Sequence, residues 1–213
     1  MNLYRRAPKT TPEWPWHCPD HSLVRKWNIL LYTGDRVKQP DLVSKELLLR
    51  AFEPADAVDV QRLAGDERIA DTTASIPHPY LDGEAERWIG SVAEETATGS
   101  KLAYAITLAD TGELAGAVSL MDIEDGEAEI GYWVGVPYWG RGIATAAVQT
   151  LLDYGFGELG LRRIYAKVLS RNPASSKVLL NTGFSHTGNR PTRCGYRREE
   201  EPTDYYELLA EAL

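Results

Sequence analysis

The chain is 213 residues long, which suits one sizeable core plus an appendage better than two ordinary domains. Its 31 acidic and 23 basic residues give a net charge of -8, which argues against a general footprint for nucleic acid or an anionic membrane and tilts partner preference toward cations. Cys18 and Cys194 stand far apart in no metal-ligand spacing, so neither a disulfide framework nor a bound metal is expected, and a reducing, cytoplasmic setting is favoured. No apolar run approaches membrane-spanning length, and the first thirty residues lack the apolar centre of a signal peptide.

Residues 1–44 read as an N-terminal arm ahead of a domain spanning 45–213. The arm holds Pro8, Pro12, Pro15, Pro19 and Pro40 of the 12 prolines, and Trp14, Trp16 and Trp27 of the 6 tryptophans. Disorder would explain the prolines but not the aromatics, so the arm is expected to pack on the domain or on a partner subunit. His17, Cys18 and His21 offer no fourth ligand at a proper spacing, and no metal site is expected there.

The run Leu47–Phe52 predicts a first strand, ended by Glu53-Pro54, which also opens a helix. Ala57, Val58, Val60, Leu63 and Ala64 continue that helix until Gly65. Asp82 caps a second helix carrying Ala85, Trp88, Ile89, Val92 and Ala93 up to Gly99. Between the helices, Thr72 to Leu81 contains Pro77-His78-Pro79-Tyr80; it must be extended or turned, and it is placed to line a substrate mouth. Leu102–Leu108 and Leu114–Met121 predict two strands joined by the hairpin signal Asp110-Thr111-Gly112. After the acidic turn Glu124–Glu127, the segment Glu129–Val136 predicts a strand closed by Pro137.

Next comes Trp139-Gly140-Arg141-Gly142-Ile143-Ala144-Thr145. Downstream of it Ile143, Ala147, Val148, Leu151 and Leu152 recur at helical spacing, so a helix is predicted to start near Gly140 or Arg141. Strand, glycine turn and helix N-terminus together leave backbone amides unpaired at the positive end of the helix dipole, a place that binds phosphate. The remaining elements are a helix ending near Gly157–Gly160, a strand over Arg163–Leu169, a helix opened by Asn172-Pro173 and closed at Gly183, and two strands, Phe184–Thr187 and Tyr205–Leu209. The charged stretch between these strands, Asn189–Asp204, is predicted to be a surface loop.

This order mixes α and β around one sheet. Three segments then carry a resemblance: Leu48-Leu49-Arg50-Ala51-Phe52 with Asp56; Glu129-Ile130-Gly131-Tyr132-Trp133-Val134 running into Tyr138–Thr145; and Asn172-Pro173-Ala174-Ser175-Ser176 running into Asn181-Thr182-Gly183-Phe184. Taken together they resemble the GNAT superfamily of acetyl-CoA-dependent N-acetyltransferases, most closely its RimJ/RimL-type branch, from about residue 46 onward. The family's acyl-CoA motif, Gln/Arg-x-x-Gly-x-Gly/Ala, is matched at Gly142 and Ala144, with Trp139 in its first position as a mark of the branch.

The resemblance implies a GNAT fold, a mostly antiparallel sheet of six to seven strands flanked by about four helices. It also implies acetyl transfer from acetyl-CoA, with no metal, to a primary amine that is either a protein N-terminus or a small molecule, by direct attack in a ternary complex. A homodimer is a family expectation. Cofactor binding would fall to Val134, Val136, Arg141, Gly142, Ile143, Ala144, Thr145, Asn172 and Ser175. The pyrophosphate would lie on the amides from Arg141 to Thr145, and the oxyanion on the amide of Val134 or a neighbour. Two other phosphate motifs fail: a dinucleotide fold needs a small residue at Thr145 and an acid after the next strand, and a Walker loop needs Gly-Lys-Ser/Thr.

An alkylammonium titrates near ~10.4, so an acceptor must lose a proton before it attacks a thioester. Glu129 is the candidate base; the alternative reading is a solvated carboxylate at the edge of the acidic run. Strand alternation puts Glu129, Gly131 and Trp133 on one face and Ile130, Tyr132 and Val134 on the other. Ser175 matches the family's Asn-x-x-Ser, whose Ser lies near the CoA sulfur, although Asn172 and Ser175 are also ordinary helix-initiating residues. Trp88 and Trp133 read as core or groove wall, and His78 and His186 as turn or surface residues. A non-catalytic acyl-CoA-binding module is the alternative function.

Overall fold

The apolar runs assemble into strands β1 (Leu42–Val43), β2 (Leu47–Arg50), β3 (Leu102–Leu108), β4 (Leu114–Glu124), β5 (Glu127–Val134), β6 (Arg163–Leu169), β7 (Ser185–Thr192) and β8 (Glu201–Leu209). They form one eight-stranded sheet in the order β1-β2-β3-β4-β5-β6-β8-β7. The structure is a computed structural model and describes residues 39–193, 195 and 198–212. The expectations for the arm before residue 39 and for Cys18 and Cys194 lie outside those residues.

Among the described residues, five α-helices cover the two faces: α1 (Ala57–Ala64), α2 (Glu67–Thr72), α3 (Glu84–Thr98), α4 (Ile143–Gly157) and α5 (Pro173–Asn181). Period-2 alternation sorts the side chains. On one face Tyr104, Ile106, Val118, Leu120, Ile130 and Ile164 bury against Val148, Leu151 and Leu152 of α4 and Leu179 of α5. On the other, Ala105, Ala117 and Trp133 pack against Val60 and Leu63 of α1, Ile69 of α2, and Ala85 and Ile89 of α3. Neighbouring strands are antiparallel except β5 and β6, whose parallel pairing requires a crossover, and α4 supplies it.

The sheet has one strand more than the upper expectation, and there is one helix more than expected. The additions are short: β1 has two residues and α2 six. Asp66 caps α2, its carboxylate accepting from the amide of Arg68, and so few residues leave no period to read. Larger corrections fall at boundaries. Gly83 rather than Asp82 holds the N-cap position of α3. β5 ends at Val134, and Val136–Tyr138 is a 3-10 turn. α4 begins at Ile143 because Gly140 and Gly142 hold φ of 74° and 76°, a left-handed conformation that no helix accommodates. Gly183, with φ 91°, lies one residue past the C-cap Thr182. The predicted loop Asn189–Asp204 is replaced over much of its length by strand: Asn189↔Asp204, Arg190↔Thr203 and Thr192↔Glu201 are paired in register. β7 is an edge strand with mostly exposed polar side chains, so backbone pairing rather than an apolar stripe defines it.

One polar tie joins the sheet to the helical layer. Arg50 of β2 donates to both oxygens of Asp56 at 2.7 and 2.8 Å, and the amide of Glu53 donates to the same carboxylate at 2.8 Å. Burial works to raise the Asp56 pKa, but these donors outweigh it and hold it below the ordinary value. A carboxylate lowered in the folded state adds stability above its unfolded pKa, and that stability is lost as pH falls through the folded pKa. Asp56→Asn is therefore expected to cost about 1–3 kcal/mol at neutral pH and to flatten the acid limb of stability, read from urea midpoints between about pH 3 and pH 7.

Candidate active site

Pairing between β5 and β6 covers Glu127↔Arg163, Ala128↔Ile164 and Glu129↔Tyr165, and then stops. The amide of Gly135 donates to Ala115 of β4, so the odd residues of β5 turn their backbone groups toward β4, and Ile130, Tyr132 and Val134 turn theirs toward the gap left by β6. A wedge thus opens between two central strands, closed at Glu129 and widening toward the glycine turn. It forms part of a cleft of about 930 Å³ lined by residues of β4, β5, β6, α4 and α5 and by the segment Thr72–Pro77. The expectation that this segment lines a mouth agrees with that lining, and Trp88 and Trp133 are cleft walls as well as packing residues.

At the wide end stands the N-terminus of α4. Its first intrahelical hydrogen bond is from Ala146 to Gly142 at 3.0 Å, which leaves the amides of Ile143, Ala144 and Thr145 without an intrahelical acceptor. All three residues line the cleft, as does Gly142, and nothing lies within 4 Å of where a Cβ would stand at Gly140 or Gly142. A phosphate can therefore approach these amides at the positive end of a 15-residue helix. The turn is pinned by Trp139, whose indole Nε1 donates to the Val134 carbonyl at 2.6 Å. Two candidate binding residues are not brought here: Arg141 places its guanidinium 5.7 Å over the Tyr138 ring, and Val136 lines a separate small depression.

At the narrow end the floor is shallow because Gly131 carries no side chain; an added Cβ would stand 2.8 Å from Cε of Met121. Glu129 flanks this floor, its carboxylate mostly buried and paired with the ammonium of Lys167. Glu129 is thus a cleft residue with a partner, not a solvated edge carboxylate. On the opposite face of β5, the Tyr132 hydroxyl lies 2.8 Å from Ser175 Oγ and 3.1 Å from the Ser175 carbonyl. Burial pushes the Tyr132 phenol up to about 12, so it remains a neutral donor throughout the physiological range. Asn172 caps α5, its Oδ1 accepting from the Ser175 amide at 3.2 Å, while Nδ2 points to the Thr72 carbonyl at 3.4 Å. Among the described residues no cluster of three or more His, Cys, Asp or Glu side chains is arranged to hold a metal.

Sequence reading passed over two site residues. Lys167 is a lone lysine inside the otherwise apolar strand segment Tyr165–Leu169, and that interruption was its signal. Tyr132 shares the core-facing parity of Ile130 and Val134, where a buried hydroxyl requires a partner.

The described residues thus place a sheet split beside a helix N-terminus, with a carboxylate at the closed end. The acetyltransferase (GNAT) domain model matches residues 46–185, and the chain belongs to that family; it is an N-acetyltransferase. It is 35% identical over 150 residues to the uncharacterised N-acetyltransferase p20 of Bacillus licheniformis, covering 69% of this chain and 83% of that protein. It is 39% identical over 74 residues to the ribosomal-protein-serine acetyltransferase of Escherichia coli, covering 34% of this chain and 41% of that one. The solved structure of Mycobacterium smegmatis RimJ in complex with CoA-disulfide superposes with a TM-score of 0.72 at 25% identity, covering 82% of this chain and 88% of that one. Among the described residues no helix is long and apolar enough to cross a membrane.

The Tyr132–Ser175 contact is open to a double-mutant cycle. Tyr132→Phe and Ser175→Ala are each expected to lose roughly 0.5–1.5 kcal/mol, and the double variant to lose less than their sum, in urea unfolding. Strict additivity would show that the two hydroxyls do not interact.

Proposed function

We propose that the enzyme transfers acetyl from acetyl-CoA to a primary amine by direct attack in a ternary complex. The observation that carries this reading is the split between β5 and β6, which runs from the free amides of α4 to Glu129 and suits a long, thin thioester arm whose phosphates sit at the wide end. The CoA pyrophosphate binds the amides of Ile143, Ala144 and Thr145. The pantetheine arm lies along the open edge of β5, and the amide of Val134 meets the developing oxyanion.

Glu129 takes a proton from the acceptor ammonium, directly or through water, because only the neutral amine attacks the carbonyl. As the C–S bond breaks, Ser175 donates to the thiolate, with the neutral Tyr132 hydroxyl supporting it from behind. Asn172 orients Ser175 by capping the helix that carries it. The acceptor is a protein N-terminus or a small amine.

Thiol release from acetyl-CoA in the presence of an amine panel tests the reading. Turnover with at least one amine is expected, and CoA binding without turnover on any amine would return the non-catalytic module. Glu129→Gln is expected to lower kcat by roughly 10²-fold or more with CoA affinity unchanged, and to remove the acidic limb of the pH–rate profile. Unchanged turnover at limiting pH would remove Glu129 as the base. Gly142→Val, which forces a β-branched side chain onto a φ of 76° at the helix N-terminus, is expected to weaken CoA binding by at least about tenfold in a calorimetric titration.

A further inference from the structure

The split between β5 and β6 closes at Glu129↔Tyr165, and Lys167 is the next residue of β6 on the same face. Ile164, Ala166 and Val168 occupy the opposite face, against α4. Lys167 therefore stands at the closed end of the wedge, on the side from which Trp133 and the Thr72–Pro77 segment enclose the cleft. Its Nζ hydrogen-bonds Oε2 of Glu129 and lies 5.6 Å from the centroid of the Tyr165 ring. Arg163, whose guanidinium lies 5.1 Å from the centroid of the same ring, is held by Glu127 at 2.8 Å and Glu207 at 2.9 Å, so it does not compete for Glu129. Lys101, another lysine that lines the cleft, pairs instead with Glu95 at 2.9 Å.

The arrangement of Lys167 is the one an acceptor needs: a primary alkylammonium on the carboxylate assigned as base, where an acyl chain threaded from the helix N-terminus would end. We propose that Lys167 is a self-acetylation site, modified within its own molecule when acetyl-CoA is bound and no acceptor is present. The inference rests on the acetyl-transfer reading above. The ammonium of Lys167 gives one proton to Glu129, and the neutral Nζ attacks the thioester carbonyl carbon. The C–N bond forms as the C–S bond breaks, the thiolate leaves with a proton supplied through Ser175, and the surplus proton passes to solvent. The products are Nζ-acetyl-lysine and CoA, with no change of oxidation state. Acetylation removes the positive charge facing Glu129 and leaves a single amide N–H in its place. Nucleophile and bound thioester lie within one complex, so once acetyl-CoA is bound the step is unimolecular and its rate is independent of protein concentration.

The test is to incubate the protein with acetyl-CoA and no amine, then record intact mass and a peptide map. One acetyl group per chain is expected at Lys167, at a rate unchanged by about tenfold dilution, and absent in Lys167→Arg. A second readout needs no turnover: bound CoA is expected to shield Lys167, but not the exposed Lys45, from a small amine-reactive reagent. Should Lys167→Arg fail to fold, the wild-type map and the shielding measurement still decide. Acetyl groups spread equally over Lys45 and Lys167 would overturn the proposal as adventitious acylation, and a rate that falls with dilution would overturn the intramolecular step. An unmodified Lys167 in a preparation that turns over added amines would overturn it while leaving the transferase reading intact. Absence of labelling, turnover and CoA binding together would overturn both.

Discussion

The parallel contact between β5 and β6 is three residue pairs long, and most of what is distinctive about this molecule follows from its stopping at Glu129↔Tyr165. Backbone N–H and C=O groups that leave a ladder must find other partners or face solvent. Here Ile130, Tyr132 and Val134 turn theirs into a gap held open on both sides. β5 stays fixed by antiparallel pairing to β4, and β6 stays fixed to β8 along its whole length, from Arg163↔Leu209 to Leu169↔Thr203. The split is therefore flanked on each side by continuous antiparallel pairing. Trp139 reinforces it by holding the Val134 carbonyl from the turn side.

Function is distributed along the wedge by the two periodicities of secondary structure. The helical period places three free amides of α4 at the wide end, because a left-handed Gly142 sets where the helix begins. The strand period sends Glu129 and Trp133 to the face of α1–α3, and Tyr132 to the face of α4 and α5, where it meets Ser175. Glu129 and Ser175, the proposed base and thiolate partner, thus approach the gap from opposite faces of the sheet, so in that reading an amine and a leaving thiol need not compete for the same space. Lys167 adds a fixed cation at the closed end, and the protein's overall acidity says little about the cleft's own charge.

Much of this was legible in the residues. Apolar runs and the alternating and helical periods located β2 to β6, α1, α3 and α4, and the Asn172-Pro173 start and Gly183 stop signals located α5. The strand–glycine–helix junction reads as an anion site before any family is considered, and the three motifs single out Glu129, Gly142 and Ser175, all of which line the cleft. What escaped detection lacked a stripe or lay across strands. β1 and α2 are too short to show a period, and the second half of β7, placed in the predicted surface loop, is a polar edge strand defined only by its pairing with β8. The pairings of Glu129 with Lys167 and of Tyr132 with Ser175 span 38 and 43 residues of sequence, so only the register between strands and helix brings them together. The start of α4 was misplaced by two or three residues because glycine spacing marks a turn without giving the sign of φ.

The central claim is that the split and the start of α4 form one continuous binding surface for acyl-CoA. Amide hydrogen exchange with and without CoA tests it most directly, since it reads the backbone groups on which the claim rests. The account predicts that CoA slows exchange in peptides covering Ile130–Val134 and Ile143–Thr145 together, while the paired strands β3 and β8 are unchanged. Bound CoA that leaves both segments exchanging as before, or that protects a different face of the sheet, would contradict it.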